Sequence, residues 1–255
     1  MKNALTIMWR EFRAYFGSPL GYIVSGVYFF LVGLVFYRVL IGFSNICLQS
    51  ANNPYYLQQL NVNEWVVRPF FGLTRFIFLL MIPALTMRLF AEEKKNGTAE
   101  LLLTAPISHM ELVVGKFLGG LSMVMFLLGL SLLFPAILFW VGNPDLPPIL
   151  TGFLGMVLLG ASFVAIGLLA SSLTDNQVIA ALSSFGMIFL LWLISWVTGQ
   201  VNPLLGNVLS YLSLIDHLED FEKGVISSTH VIYYLSVIGF CLFLTQRVIE
   251  SKRWR

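Results

Sequence analysis

The stretch Ala91-Glu-Glu-Lys-Lys-Asn-Gly-Thr-Ala-Glu-Leu-Leu-Leu-Thr-Ala-Pro-Ile-Ser-His-Met-Glu-Leu-Val-Val-Gly-Lys116 is the densest patch of charge and turn chemistry in a chain that is otherwise close to continuous hydrocarbon. Glu92, Glu93, Lys94 and Lys95 prolong the preceding apolar run as helix, and Asn96-Gly97 supplies a residue able to take the left-handed conformation of a C-cap. Thr98 can cap a new helix, and Glu100 in its first turn suits the positive end of the helix dipole. A short helix is therefore expected from Thr98 to Thr104, stopped by Pro106. Ser108-His-Met-Glu111 fits a capping box that launches the next long helix. The result is a helical elbow that presents Leu101, Leu102 and Leu103. An apolar helix of about two turns is unstable alone in water, so it must dock, either in a partner's groove or as a re-entrant connection against its own bundle.

Working outward, 58% of the 255 residues are hydrophobic and 11% charged, against roughly 45–50% and about 25% in a soluble domain. Several apolar runs reach the ~18–20 residues that cross a bilayer as a helix. The fold class expected is all-α: a polytopic membrane protein with a single transmembrane domain over residues 1–255. Its six spans are expected at about 20–41, 69–90, 113–141, 149–170, 178–197 and 230–245. Before them, Leu5, Trp9, Phe12 and Phe16 recur at helical spacing, which predicts an amphipathic interfacial helix over residues 1–17. Arg10, Glu11 and Arg13 interrupt that segment, so it does not read as a cleavable signal peptide. Asn45 to Asn63 reads as an external loop and Ser171 to Gln177 as a short polar connection. Pro83 and Pro135 are expected to kink their spans.

Charge orients the spans. Lys2, Arg10, Arg13, Arg88, Lys94, Lys95, Lys116, Arg247, Lys252, Arg253 and Arg255 fall on one side, while Arg68 and Lys223 lie in connections on the other. Both termini and the Ala91–Lys116 stretch are thereby placed in the cytoplasm. Arg38 and Arg75, near external span ends, are expected to snorkel to the headgroups. The net charge of +2 gives no argument for nucleic acid.

Catalytic chemistry finds no footing. Cys47 and Cys241 suggest neither a disulfide framework nor a zinc site. There is no His-Glu-x-x-His or Gly-x-Ser-x-Gly, and no aspartate lies well inside a span, which argues against intramembrane proteolysis. An ion-coupled carrier would place ionisable residues at mid-membrane, and apart from the two arginines these spans have none. Asp216, His217, Glu219, Asp220 and Glu222 form an acid-histidine cluster, but an external helix with a Glu219–Lys223 pair accounts for it without metal. Gly115 and Gly119 permit close helix contact, within one bundle or between subunits.

Phe90 to Ser108, with Val114-Gly-Lys-Phe117 after it, resembles the cytoplasmic loop of type-2 ATP-binding-cassette (ABC) transporter permeases, nearest the gliding-motility and copper-enzyme-maturation branch. His217-Leu-Glu-Asp-Phe221 followed by Gly224-Val-Ile226 extends the resemblance towards the C-terminus. It implies a permease with no bound cofactor, paired with a second permease copy in a bacterial inner membrane, each seated on a separate nucleotide-binding subunit that uses ATP and Mg. It also implies that Thr98 to Thr104 is the coupling helix, that Glu92, Glu93, Lys94 and Lys95 flank its docking cleft, and that Ser171 to Gln177, with Thr174 and Asp175, form a second cytoplasmic contact. The residues agree on the missing ATPase, since the one Gly-Lys pair, Gly115-Lys116, has Met110 where a phosphate-binding loop needs glycine. An alternative is a permease-like scaffold that transmits force to an extracytoplasmic partner without moving a substrate.

Overall fold

A backbone in hydrocarbon has no water to satisfy its N–H and C=O groups, so long apolar runs close their hydrogen bonds within helices. The computed structural model describes residues 2–50, 60–98, 107–198 and 202–252, and these are helical apart from their connections. In chain order they form α1 (Lys2–Phe16), α2 (Pro19–Ser50), a π-helical turn (Asn63–Val67), α3 (Arg68–Thr86), α4 (Arg88–Lys95), α5 (His109–Ser131), α6 (Leu133–Val141), α7 (Leu146–Leu173), α8 (Gln177–Thr198), α9 (Pro203–Leu212), α10 (Glu219–Glu222) and α11 (Ser228–Lys252). Among the described residues, 6 helical stretches are long and apolar enough to cross a membrane: Gly21–Ser50, Asn63–Lys95, His109–Trp140, Leu146–Leu173, Gln177–Val197 and Ser228–Ser251. The chain is an all-α, multi-pass membrane protein.

Several helices outrun their expected ends. The loop expected from Asn45 is helix as far as Ser50, because Ile46 and Leu48 carry the apolar run between Asn45 and Gln49. At the other terminus α11 continues beyond Thr245, where Glu250 accepts hydrogen bonds from Gln246 at 2.7 Å and Arg247 at 3.0 Å across single helical turns. The connection expected over Ser171 to Gln177 shrinks to Thr174–Asn176, with Asn176 Oδ1 accepting the Val178 N–H at 2.9 Å to cap α8. The helices break at Met87 and Leu132, each within about a turn of Pro83 or Pro135.

The bundle is organised around α7. Of its most apolar window 78% is buried, against 17% for α2 and 22% for α8. It packs on α3, α5, α8 and α11, with Gly160, Ala161 and Ala165 at the contact. Lipid tails are as apolar as leucine, so helices associate here through close packing rather than escape from water. Phe70, Phe71, Phe78 and Phe163 fill the core with no exposure above 1%.

At the end of the bundle away from Ala91–Lys116, the structure corrects the expectation for Arg75. Its guanidinium does not snorkel: Nη1 bonds Glu222 Oε1 at 3.1 Å, and Arg68 Nε stands 3.8 Å from the other carboxylate oxygen. Only 3% of the Glu222 side chain is exposed, so a charge entering that site requires an opposite charge beside it. Thr151 Oγ1 donates to the Phe221 carbonyl at 2.6 Å and holds α10 against α7. Arg38 is exposed on α2.

The acid-histidine cluster is parcelled out to separate partners. His217 Nδ1 lies 2.8 Å from the Ser213 carbonyl and its ring stacks on Tyr233, while His230 Nε2 meets Asp220 Oδ2 at 2.8 Å. Asp216 accepts from Ser195 at 2.7 Å, and the Glu219–Lys223 pair stands at 3.6 Å. Among the described residues no group of three or more His, Cys, Asp or Glu side chains is placed to hold a metal ion.

Candidate functional site

The site grows from two helix ends. At the end of α4 the Gly97 N–H bonds the Lys94 carbonyl at 3.1 Å and the Thr98 N–H bonds the Glu93 carbonyl at 3.0 Å. With Gly97 at φ +68°, this is a Schellman C-cap, a conformation in which a side chain would be strained. The Thr98 hydroxyl donates back to the Glu93 carbonyl at 3.2 Å. At the start of α5, Ser108 Oγ accepts the Glu111 N–H at 3.1 Å. Glu100, Leu101, Leu102, Leu103 and Pro106, with the expected helix beyond Thr98, lie outside the described residues.

The four charges at the end of α4, Glu92 to Lys95, divide into two pairs. Glu92 and Lys95 are exposed, whereas Glu93 and Lys94 turn towards the bundle. Lys94 Nζ donates to the Ser172 carbonyl and stands 3.8 Å from Asp175, so α4 is attached to the short connection that carries half-buried Thr174 and exposed Asp175. Glu93 Oε1 lies 2.8 Å from Lys116 Nζ and 2.9 Å from Arg10 Nη2. Lys116 Nζ also meets Glu11 Oε1 at 3.0 Å and donates to the Leu89 carbonyl. The Lys116 side chain is only 1% exposed, and a buried ammonium persists when carboxylates and carbonyls replace its water. Burial pushes the Glu11 carboxyl up, but Lys116 and Arg10 outweigh it and hold the group below its ordinary range.

This buried cluster joins three helices: α1 through Arg10 and Glu11, α4 through Glu93, and α5 through Lys116. The last two are the roots of the Ala91–Lys116 elbow, held as one body. Two glycines let α1 come close enough to take part. A Cβ on Gly115 would lie 2.7 Å from Ile7 Cβ, and one on Gly119 would lie 2.5 Å from Glu11 Cβ. The Gly-x-x-x-Gly pair therefore seats α1 within this chain. Of the expected apolar stripe of α1, Leu5 and Trp9 point the other way, 56% and 50% exposed, while Phe12 and Phe16 turn their rings edge-on to Phe126 of α5.

A second link crosses to α7. Ser171 Oγ accepts the Phe90 and Ala91 N–H groups, each at 3.0 Å, and donates to the Met87 carbonyl at 2.8 Å. The hydroxyl thus ties three backbone groups of the neighbouring span at the point where α3 gives way to α4. The arrangement holds no nucleophile–base pair. What it can do is mechanical: displacement of either elbow root is passed to α1 and α7.

Sequence reasoning missed Glu11 and Lys116 as parts of the site, and placed Ser171 in the second cytoplasmic contact without its bonds to the end of α3 and the start of α4. Glu11 carries a signal in retrospect, since it shares one helical stripe with Ala4, Ile7 and Tyr15, all three buried. Ser171 carries none, because its partners belong to another span.

Comparison with known proteins agrees with this architecture. The family model described as "ABC-2 family transporter protein" matches residues 5–236. Two proteins named "Probable multidrug ABC transporter permease YbhR", from Escherichia coli K12 and Escherichia coli O157:H7, are each 26% identical over 185 residues, covering 71% of this chain and 48% of theirs. The chain spans about half the length of these curated relatives. With the family match running through nearly all six spans, the chain belongs to the ABC-2 family of transporter proteins.

Proposed function

We propose that the chain is the permease subunit of an ABC transporter in a bacterial inner membrane. Separate nucleotide-binding subunits hydrolyse ATP with Mg, and the permease turns their motion into export or translocation of a substrate. In this reading it pairs with a second permease copy, both termini and the elbow face the cytoplasm, and α1 lies in the membrane interface. The loop motif resembles that of the gliding-motility and copper-enzyme-maturation branch, and in this reading an extracytoplasmic auxiliary protein is a further partner. The observation that carries the proposal is the clamp of Lys116 on Glu93 and Glu11, because force applied to the Thr98–Thr104 segment has a rigid route into α1, α4 and α5.

Docking is tested by substitutions that leave the clamp alone. Leu102→Asp and Glu92→Lys should abolish co-purification of the nucleotide-binding subunit and uncouple its ATPase, with membrane insertion unchanged. Wild-type recovery of that subunit by the Leu102→Asp chain, together with normal transport, would show that docking lies elsewhere.

A further inference from the structure

Beside the clamp, an open cleft of about 320 Å3 is lined by residues including Arg10, Glu11, Ser18, Arg88, Glu92 and Lys116. Its volume falls at the lower end of ligand sites, which run from ~300 to 1,000 Å3. The clamp satisfies Arg10, Glu11 and Lys116, but Arg88 and Glu92 stand outside it. The Arg88 guanidinium lies 4.0 Å from the centroid of the Tyr15 ring, and its Nη2 is buried with no hydrogen-bond partner among the described residues. A buried, charged N–H without an acceptor is costly, and Arg88 is half-buried at the wall of an open cleft, so an oxyanion there can meet the guanidinium. Glu92 follows one helical turn later and is exposed, so the cleft presents a cationic donor and an anionic acceptor about 6 Å apart along the helix.

Arg88 and the cleft sit at the end of a membrane span, the level of lipid headgroups, where the abundant oxyanion is a phosphodiester. A guanidinium suits phosphate oxygens through its planar array of donors. Glu92 adds selectivity. An ethanolamine headgroup carries an ammonium with N–H donors a short link from its phosphate, choline has the charge without the donors, and glycerol has no cation. We propose that the Arg88–Glu92 cleft binds the headgroup of a phosphoethanolamine phospholipid in the leaflet at that end of the bundle. The site needs the chain in a membrane; because Glu92 also belongs to the docking cleft of the proposed function, lipid retention is read on the chain without the ATPase partner.

The test is retention of lipid by the full chain, purified in detergent, exposed to phosphatidylethanolamine, phosphatidylcholine, phosphatidylglycerol or inorganic phosphate, and read by native mass spectrometry. Wild type should retain the ethanolamine lipid about tenfold over the choline lipid, the scale of one charge-assisted hydrogen bond. Arg88→Gln should lower retention of both by about tenfold. Glu92→Gln, at an exposed position where folding is not at risk, should remove the preference and leave choline-lipid retention unchanged. Equal retention of all three lipids by wild type and Glu92→Gln would overturn the proposal in favour of ordinary annular lipid. Displacement of bound lipid by inorganic phosphate would overturn it in favour of a free-anion site.

Discussion

Lys116 Nζ and Glu93 Oε1 meet at 2.8 Å, joining the second turn of α5 to the last turn of α4 across the elbow that separates them in sequence. Removing one member of a buried pair leaves the other charge uncompensated, at about 3–5 kcal/mol. Lys116→Met should therefore destabilise the detergent-solubilised chain by that order in thermal unfolding. Adding Glu93→Gln and Glu11→Gln to it should recover most of the loss, as removing the three least exposed charges together spares their desolvation penalty and leaves Arg10, 48% exposed, to water. Glu92→Lys, on the exposed face of the same helix, should stay within about 0.5 kcal/mol of wild type.

The seat of α1 has no room for side chains. Gly115→Val or Gly119→Val should lift α1 from α5 at about 1–3 kcal/mol, and trypsin should then cut at Arg10 and Arg13 faster than in wild type. Gly129 has nothing within 4 Å of a built Cβ, so Gly129→Ala should be neutral or stabilising by up to ~1 kcal/mol, with no change in proteolysis.

The Ser171 hydroxyl serves three backbone groups of another span. Ser171→Ala should cost about 1–3 kcal/mol and speed hydrogen exchange of the Phe90 and Ala91 amides. Ser172 donates to Leu169 in its own helix at 2.7 Å, so Ser172→Ala should leave those amides unchanged.

Burial pushes the Glu222 carboxyl up to about 6 from an ordinary 4.5, against the pull of Arg75 and Arg68. A carboxyl raised in the folded state binds its proton more tightly there than in the unfolded chain. Its contribution to stability is full below pH 4.5 and is lost as pH rises through about 6, a fall on the order of 2 kcal/mol. Thermal unfolding should show that decline between pH 4.5 and 6.5, and Glu222→Gln should remove it.

Much of the scaffold was legible because membrane folding leaves few choices. Run length and apolarity determined the spans, since hydrocarbon admits a backbone only when its hydrogen bonds are closed internally. Local spacing determined the C-cap at Gly97 and the Ser108 cap, whose donors and acceptors lie within five residues of one another. Helix ends were less legible. Asn45 and Gln49 read as loop, yet polar residues continue a helix readily until a turn or proline breaks it.

The candidate site was legible only where its chemistry was local. Tertiary structure alone decided that Lys116 would meet Glu11, 105 residues away, that Arg75 would meet Glu222, 147 away, and that Ser171 would meet the Met87 carbonyl, 84 away. It also decided which face of α1 packs inward, because Gly115 and Gly119 accept a neighbouring helix without specifying which one. For Lys116, Arg75 and Ser171 the physical reason is common: buried charges and hydroxyls are settled by the partner that replaces water, and in each case that partner belongs to another helix.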